Sequence, residues 1–303
     1  MAGSQDFAAD PRNATALVWL NGALVPKAEA KVSIFDAGFV LGDGVWEGLR
    51  LHRGKLMFLD THLDRLFEGA AAIELDIGKT RAQLVEALHE LFAANDMTDG
   101  VHIRLMVTRG EKTAANQDPR NALGRPTIVI VAEWKTPAPT IVTQGLKLAS
   151  VDIRCTPAEM FDMRLNSHSR LNLILALQQA IRSNADEALM LDPAGFVASC
   201  NATNFFWVKD GELRTSRDVY CFNGVTRGNV IALAKANAIP FAQGDFPLDD
   251  ARGADEAFVT GTFGGLTPVR EIDGRQLPLA LPGPLTTRLR GLYDALKDAE
   301  AAK

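Results

Sequence analysis

The sequence predicts a two-domain protein of the α/β class, and three observations support this prediction. In the first half of the chain, strand-like and helix-like patterns alternate. Two prolines in Pro137-Ala138-Pro139 then interrupt the pattern and form a stiff connection. After this point, short strands separated by turn residues indicate a strand-rich α/β domain. We therefore predict a flexible tail at residues 1–15, a small α+β domain at 16–136, a linker at 137–145 and a larger domain at 146–303.

Composition and charge exclude several classes of function. The 303 residues carry a formal net charge of −5 without a basic block, so we predict no nucleic-acid partner. The apolar runs are too short to span a bilayer, and the first residues lack the pattern of a secretory signal. The three widely spaced cysteines fit reduced thiols, and the five histidines show no metal-ligand spacing. These features predict a cytoplasmic protein with no membrane segment and no metal site.

Local patterns place the elements of the first domain. Asn21-Gly22 between two apolar runs predicts a β-hairpin. Four turn-type residues within Asp36–Arg50 predict a loop before a strand. Phe39 and Trp46 in this stretch are candidates for a pocket wall, although a bend with core aromatic residues would show the same pattern. Further predicted elements are a helix opening at His62, a helix over residues 80–94, and strands over 101–110 and 127–132.

The polar loop over residues 111–125 connects two of these predicted strands. A loop of this length between paired strands is often functional. Arg120 and Arg125 are therefore candidates to meet a substrate carboxylate, although an exposed surface arginine is the commoner outcome.

The central stretch Arg164–Arg170 carries Asn166, Ser167 and His168 into an apolar helix. Free backbone N–H groups at such a helix entry favour an anion. His168 could equally be an ordinary polar residue bonded to the backbone. Four apolar residues follow at helical spacing, from which we predict a helix that packs them on a core. These residues are Leu171, Ile174, Leu175 and Leu177.

Two turns rich in threonine and glycine are candidate anion sites in the second domain. Asn223–Gly228 precedes a helix for which we predict Thr226 as the N-cap residue. Thr260–Val269 contains a second such turn after a predicted strand. Each turn alone is weak evidence, because any capped helix can show this pattern.

Taken in order, these stretches resemble the motifs of the class IV, or fold type IV, pyridoxal-phosphate-dependent aminotransferases. This family includes the branched-chain and D-amino acid aminotransferases. The resemblance covers roughly residues 16–295 and implies the D-amino-acid-aminotransferase-like fold. It also implies a homodimer and amino-group transfer between a small amino acid or amine and a 2-oxo acid. The motif stretches are Asp36–Arg50, His62–Leu66, Arg164–Ala176, Val197–Phe206, Gly224–Arg227 and Gly261–Val269.

The resemblance also implies which residues bind the cofactor. Arg65 matches the arginine that grips the cofactor phosphate, a role suited to a planar guanidinium that is always charged. Without the motif, an arginine at this position would be interpreted as a solvated helix residue. The other implied cofactor-binding residues are Ser199, Val225, Thr226, Thr262 and Phe263.

Two positions depart from the family pattern. Asn166 occupies the position of the Schiff-base lysine, and Ser199 occupies that of the glutamate that partners the pyridine nitrogen. The lysine is the nucleophile and proton carrier of the family, and an amide cannot replace it. A serine hydroxyl cannot keep the ring nitrogen protonated as a carboxylate does. Asn166, His168 and Arg170 are therefore the catalytic candidates, with His168 able to move a proton near neutral pH.

Three interpretations stay open on the sequence. In the first, an unusual aminotransferase or amino-acid lyase holds pyridoxal or pyridoxamine phosphate noncovalently. In the second, the fold is kept, the reaction does not use the cofactor, and the phosphate site that the motifs imply holds another anionic ligand. In the third, the protein is a binding or interaction protein without catalysis. The complete set of phosphate-site motifs argues against this third interpretation.

Overall fold

The computed structural model describes residues 3–303 and divides them into two compact units. We call them the six-strand unit, with residues 8–136, 165–170 and 300–303, and the nine-strand unit, with residues 3–7, 137–164 and 171–299. This division differs from the predicted ranges at three short segments. Residues 3–7 lie with the nine-strand unit, and residues 165–170 and 300–303 lie with the six-strand unit. Residues 1 and 2 of the predicted tail lie outside the described residues.

The six-strand unit is a single sheet with the strand order β2-β1-β6-β5-β3-β4 and helices on one face. All pairings within this sheet are antiparallel. The strands are β1 (Leu17–Leu20), β2 (Ala23–Pro26), β3 (Gly44–His52), β4 (Lys55–Leu56), β5 (Val101–Thr108) and β6 (Thr127–Trp134). The helices are α1 (Ala37–Leu41), α2 (Leu59–Ala72) and α3 (Arg81–Ala94).

Alternation along the central strands separates a core face from an outer face. In β5, every residue from Val101 to Val107 with an odd number is buried, and the even-numbered residues are partly exposed. Because side chains alternate across a strand, the odd set packs against α2 and α3. The even set forms the outer face of the sheet, where the candidate site lies.

Several local predictions for this unit are confirmed. Asn21-Gly22 forms the hairpin turn between β1 and β2, with φ of 50° and 98° at its two residues. The helix predicted over residues 80–94 is α3, and the structure adds that Thr80 caps it in a capping box with Gln83. Other predictions need correction. The stretch before β3 contains α1, and Pro11–Ala14 forms a 3-10 helix that is held to Trp134 through Asn13, so this part of the predicted tail is ordered.

The nine-strand unit is a mixed sheet with the order β12-β11-β10-β13-β14-β7-β8-β9, and β15 pairs with β14. Its strands are β7 (Leu146–Ser150), β8 (Glu187–Leu191), β9 (Val197–Cys200), β10 (Asn204–Lys209), β11 (Glu212–Ser216), β12 (Phe241–Gly244), β13 (Glu256–Gly261), β14 (Gly265–Ile272) and β15 (Arg275–Gln276). Its helices are α4 (Ile141–Gln144), α5 (Ala158–Phe161), α6 (Leu171–Arg182), α7 (Val225–Ala236), α8 (Leu248–Arg252) and α9 (Pro284–Ala301). Residues 141–144 of the predicted linker are thus helical.

The prediction that α6 packs its large apolar residues on a core is wrong. Leu171, Ile174 and Leu175 are 67%, 52% and 42% exposed, whereas Ala176 and Ala180 are fully buried. Small side chains let α6 lie close to the sheet, so the helix exposes its bulky face. Among residues 3–303, none of the helices combines the length and apolar character that crossing a bilayer requires.

Candidate functional site

Trp46 and Arg104 stack on each other on the outer face of the six-strand sheet. Arg104 on β5 pairs with Gly48 on β3, two residues from Trp46. The Arg104 guanidinium lies over the indole ring, with Cζ 3.4 Å from the ring centroid. Within residues 3–303, no group accepts a hydrogen bond from the Arg104 guanidinium, and no carboxylate pairs with it. Among these residues, the aromatic ring is therefore the group that balances its cation.

Residues 165–170, which we call the central segment, attach to β3 through backbone hydrogen bonds. The Trp46 amide donates to the Asn166 carbonyl at 2.9 Å, and the His168 amide donates to the Gly44 carbonyl at 3.0 Å. The Trp46 indole N–H donates to the Ser167 carbonyl at 3.1 Å. Gly44 is required for this approach, since a methyl group there would lie 2.7 Å from Cδ2 of His168. The central segment thus brings Asn166, His168 and Arg170 to the Trp46 side of the sheet.

Asn166 is buried, and its side chain is bonded to Arg170. Only 4% of Asn166 is exposed, and its Oδ1 accepts a hydrogen bond of 2.6 Å from Nη2 of Arg170. Arg170 also donates to the Ser167 carbonyl at 2.8 Å and to the Leu165 carbonyl at 3.1 Å. Asn166 is therefore the side-chain acceptor that fixes a partly buried cation. A protonated amine at this position could not accept that bond.

His168 presents a neutral imidazole with one nitrogen, Nε2, that is buried and unpartnered among the described residues. Burial, together with the positive charge of Arg104, lowers the pKa of His168 below its ordinary value. A backbone hydrogen bond to Val45 opposes this shift, and Nε2 has no hydrogen-bond partner among the described residues. A neutral ring with an unpartnered nitrogen can accept a proton or a hydrogen bond from a ligand.

Arg65 is held by a buried carboxylate on the core side of β3. Nε and Nη2 of Arg65 each donate a 2.7 Å hydrogen bond to the carboxylate of Glu47, which is fully buried. Nδ1 of His62 lies 2.7 Å from the same carboxylate. Burial opposes ionisation of Glu47, but the hydrogen bonds and charges of His62 and Arg65 prevail and hold the pKa of Glu47 below its ordinary value. The bidentate pairing fixes the direction of the Arg65 guanidinium.

The charged side chains around Trp46 carry more positive than negative charge. They are Arg65, Arg104, Arg170 and Glu47. Burial, followed by the charges of Arg104 and Arg65, lowers the pKa of Arg170 to about 10, and only Glu47 acts in the opposite direction. Three guanidinium groups within electrostatic range of one carboxylate attract an anion. Sequence reasoning did not find Arg104 or Glu47. Period-two alternation could have placed Arg104 on the face of Trp46, but their pairing depends on strand register.

In the nine-strand unit, the predicted phosphate residues lie on α7 and on the turn between β13 and β14. The prediction of Thr226 as N-cap is wrong, because Gly224 is the N-cap residue and no side chain caps the helix. The first N–H groups of α7 are thus left to solvent or a ligand. Val225 and Thr226 are buried, and the Thr226 hydroxyl lies 3.4 Å from the hydroxyl of Tyr293. Thr262 and Phe263 lie in the turn, where Phe263 is buried.

Ser199 is buried on β9, and its hydroxyl is already engaged. It donates a 3.0 Å hydrogen bond to the carbonyl of Thr203. Nδ2 of Asn204 approaches Ser199 at 3.5 Å, but it donates its shorter bond, 2.6 Å, to the Phe222 carbonyl. Ser199 therefore presents a neutral hydroxyl whose direction is set by the Thr203 carbonyl.

Two of the predicted substrate-pocket residues in the six-strand unit are exposed. Phe39 lies on α1 and is 69% exposed. Arg120 is also exposed, and its Nε donates a 2.8 Å hydrogen bond to Asp118, two residues away. Asp118 therefore balances the charge of Arg120 locally. Of the three predicted pocket residues, Trp46 is the one that lies with Asn166, His168 and Arg170.

The residues fit one part of pyridoxal phosphate and not another. Within the nine-strand unit, the uncapped α7 terminus after Gly224 fits an anion. Within the six-strand unit, the fixed guanidinium of Arg65 separately fits one. Asn166 does not fit covalent attachment, because an amide nitrogen is not a nucleophile and its oxygen is bonded to Arg170. Ser199 does not fit a protonated ring nitrogen. These residues therefore match an anion-binding role, and Asn166 and Ser199 do not themselves supply the groups of lysine-based ring chemistry.

Comparison with known proteins gives a consistent result. The family model described as amino-transferase class IV matches residues 44–272. Branched-chain-amino-acid aminotransferase-like protein 2 of Arabidopsis thaliana is 38% identical over 95% of the chain, and the chain spans about half, 51%, of its length. The branched-chain-amino-acid aminotransferase of Pseudomonas aeruginosa is 33% identical, with 91% of each chain covered. The crystal structure of the branched-chain aminotransferase of Thermoproteus uzoniensis with norvaline superposes with a TM-score of 0.83 at 29% identity, covering 94% of this chain and 95% of that one.

Proposed function

Because this chain belongs to the class IV aminotransferase family, we propose that it is an aminotransferase-like enzyme that binds pyridoxal or pyridoxamine phosphate without a covalent bond. The reaction of the family is pyridoxal-phosphate-dependent transamination. One observation carries the proposal against ordinary lysine-based transfer. Asn166, which the motif pattern assigns to the lysine position, is buried and is bonded to Arg170. The matching phosphate residues support retention of the cofactor's phosphate group.

We assign the ligand-facing roles to residues of this chain. Arg65 binds the phosphate, with its direction fixed by Glu47. His168 is the proton-transfer group, because its ring is neutral and its buried Nε2 has no hydrogen-bond partner among the described residues. Arg170 and Asn166 hold the central segment in place. The cofactor, when bound, supplies the electron-withdrawing ring that the family uses. Relatives named as branched-chain aminotransferases point to a small amino acid, amine or 2-oxo acid as substrate.

A second candidate function is cofactor-free and rests on the charge of the group around Trp46. Arg104 stacks on the ring without a carboxylate partner among the described residues, and burial followed by the charge of Arg104 lowers the pKa of Arg170. Such a group would bind an anionic ligand whether or not it is a pyridoxyl compound. In this alternative, the chain is a divergent member of the family whose reaction does not use the cofactor.

Titration with both cofactors, followed by borohydride reduction and mass analysis, tests the proposal. We expect saturable binding of pyridoxal and pyridoxamine phosphate and no covalent adduct on the wild-type chain. R65A should weaken binding about a hundredfold, since it removes a fixed charge–phosphate contact. R65K should bind with intermediate affinity, and R81A, at an exposed arginine of α3, should bind as the wild type does.

Each alternative outcome has a distinct meaning. A reducible adduct on the wild-type chain would show that another lysine has replaced the one missing at position 166. Absence of binding by either cofactor would refute the first candidate and favour the cofactor-free one.

We also propose that the protein is a homodimer, as the family resemblance implies. The exposed face of α6, formed by Leu171, Ile174 and Ile181, is the apolar surface that supports this proposal. In a two-fold dimer, a charge placed on this face would be buried twice and without a partner. We expect I174E to sediment as a monomer and A82E, at an exposed residue of α3 away from this face, to remain a dimer. A dimeric I174E would place the interface elsewhere.

A further inference from the structure

Residues 3–7, which we call the N-terminal segment, form a closed turn within the nine-strand unit. The Gly3 amide donates to the Asp6 carboxylate at 3.0 Å, and the Asp6 amide donates to the Gly3 carbonyl at 3.0 Å. Phe7 then forms an isolated β-bridge with Pro137. Ser4 is only 7% exposed despite its place near the start of the chain. The segment is therefore packed into this unit.

The first contact of the segment, made by Ser4, connects it to the turn that follows Ser199. The Ser4 hydroxyl donates to the buried carboxylate of Glu187, whose other oxygen accepts a 2.6 Å hydrogen bond from the Thr203 hydroxyl. The Thr203 carbonyl in turn accepts the hydrogen bond of the Ser199 hydroxyl. Because each buried polar group here is satisfied by the next, loss of Ser4 leaves an oxygen of Glu187 without its donor.

The second anchor leads to the turn that holds Thr262 and Phe263. The Phe7 ring meets the Phe263 ring edge-on, with centroids 6.4 Å apart and an interplanar angle of 80°. A methyl group at Gly264 would lie 3.6 Å from the Ser4 carbonyl oxygen, so the segment lies directly against this turn. The N-terminal segment therefore contacts the β13–β14 turn through both its side chain and its backbone.

The two anchored turns are neighbours. Asn204 at the start of β10 pairs with Thr260 near the end of β13. A methyl group at Gly261 would lie 3.6 Å from Cγ2 of Thr203. One short segment thus contacts the turn that carries Thr262 and Phe263, and it is linked through Glu187 to Thr203 in the turn that follows Ser199.

We infer that the N-terminal segment is a positioning element that fixes these two turns for ligand binding. This inference rests on the proposed function, because the importance of the turns comes from the phosphate and ring contacts assigned to them. Without the segment, Phe263 loses an aromatic neighbour. The Glu187 carboxylate, which also accepts from Thr203, loses the hydrogen bond that Ser4 donates. The turns would then sample other conformations, and the ligand would have to order them on binding.

Hydrogen exchange measured by mass spectrometry on the full chain tests this without any ligand. In S4A/F7A, we expect amide exchange at residues 262–265 and 200–204 to become about tenfold faster, which is the effect of losing one buried hydrogen bond and one aromatic contact. Exchange elsewhere in the sheet should be unchanged. Q5A, at an exposed side chain of the same segment, is the matched control. S4T keeps the hydroxyl and should restore slow exchange when Phe7 is retained.

A binding measurement completes the test. S4A/F7A should bind pyridoxamine phosphate about tenfold more weakly than Q5A. Unchanged exchange at both turns in S4A/F7A would overturn the inference. Unchanged affinity despite faster exchange would overturn it as well, since the segment would then be structural only. Failure of Q5A and wild type to bind pyridoxamine phosphate would count against the proposed function, and inorganic phosphate would then replace it as the probe for the positioning role.

Discussion

N166K is expected to convert this chain into one that traps pyridoxal phosphate covalently. A lysine at position 166 would stand next to Arg170 and within electrostatic range of Arg104 and Arg65. Three neighbouring cations and burial lower the pKa of a lysine, so its amine would be partly neutral and nucleophilic near pH 7. After borohydride reduction, the chain mass should rise by the mass of the cofactor less one oxygen. The adduct should map to the peptide that contains position 166.

Two control variants give this experiment its meaning. N166R places a charge at the same position without a nucleophilic amine, so no adduct should form. N166K/R65A should trap far less cofactor at a limiting concentration, if Arg65 binds the phosphate. The substitution removes the acceptor of Arg170, so a loss of about 1–3 kcal/mol in the free energy of unfolding is expected in N166K. A folded N166K that forms no adduct would refute the assignment of this position.

Among the substitutions proposed here, E47A is expected to lower the free energy of unfolding most. Glu47 is fully buried, and its carboxylate accepts hydrogen bonds from His62 and Arg65. Removing it leaves a guanidinium without its counter-charge, which costs about 3–5 kcal/mol. Urea denaturation monitored by circular dichroism measures this difference. E47Q keeps the shape of the side chain and should lose less. E133Q, at a partly exposed carboxylate paired with Lys27, should lose under about 1 kcal/mol.

The same residue predicts a pH dependence. The pKa of Glu47 is held below its ordinary value in the folded chain, so folding favours the charged carboxylate. Its contribution to stability is therefore present above the unfolded pKa and is lost as the pH falls through the folded pKa. The free energy of unfolding of E47Q should fall less steeply on acidification than that of the wild type. Parallel acid limbs for the two proteins would contradict this account.

Local signals determined the parts of the fold that the sequence predicted well. Asn21-Gly22 specifies its hairpin because both residues tolerate positive φ, and Thr80 with Gln83 specifies the start of α3 through reciprocal hydrogen bonds. The motif order led to the family, and the family model and crystal structures confirm that fold. Such signals need only neighbouring residues, so they can be found in the sequence alone.

The features that the sequence did not show depend on residues that are far apart in the chain. Apolar spacing identified α6 as a helix, but not that Ala176 and Ala180 would face the sheet. Glu47 and Arg65 meet only because α2 packs across β3. Arg104 reaches Trp46 because strand register places it opposite Gly48. The sequence predicted that Asn166 replaces the family lysine. The hydrogen bond between Asn166 and Arg170 depends on the conformation of the central segment, which the sequence did not show.

The assignment of residues 165–170 to the six-strand unit has a consequence for the order of events during synthesis. Ser167 bridges to Val45, and the Asn166 carbonyl accepts from the Trp46 amide, so β3 finds these partners only after about 120 further residues have been made. Domains generally fold as they leave the ribosome, from the N-terminal end. Here the first unit cannot reach its final state until part of the second has also emerged. A polypeptide that stops after residue 136 would therefore lack Asn166, His168 and Arg170. Its strand β3 would also lack the backbone hydrogen-bond partners that the central segment provides at the candidate site.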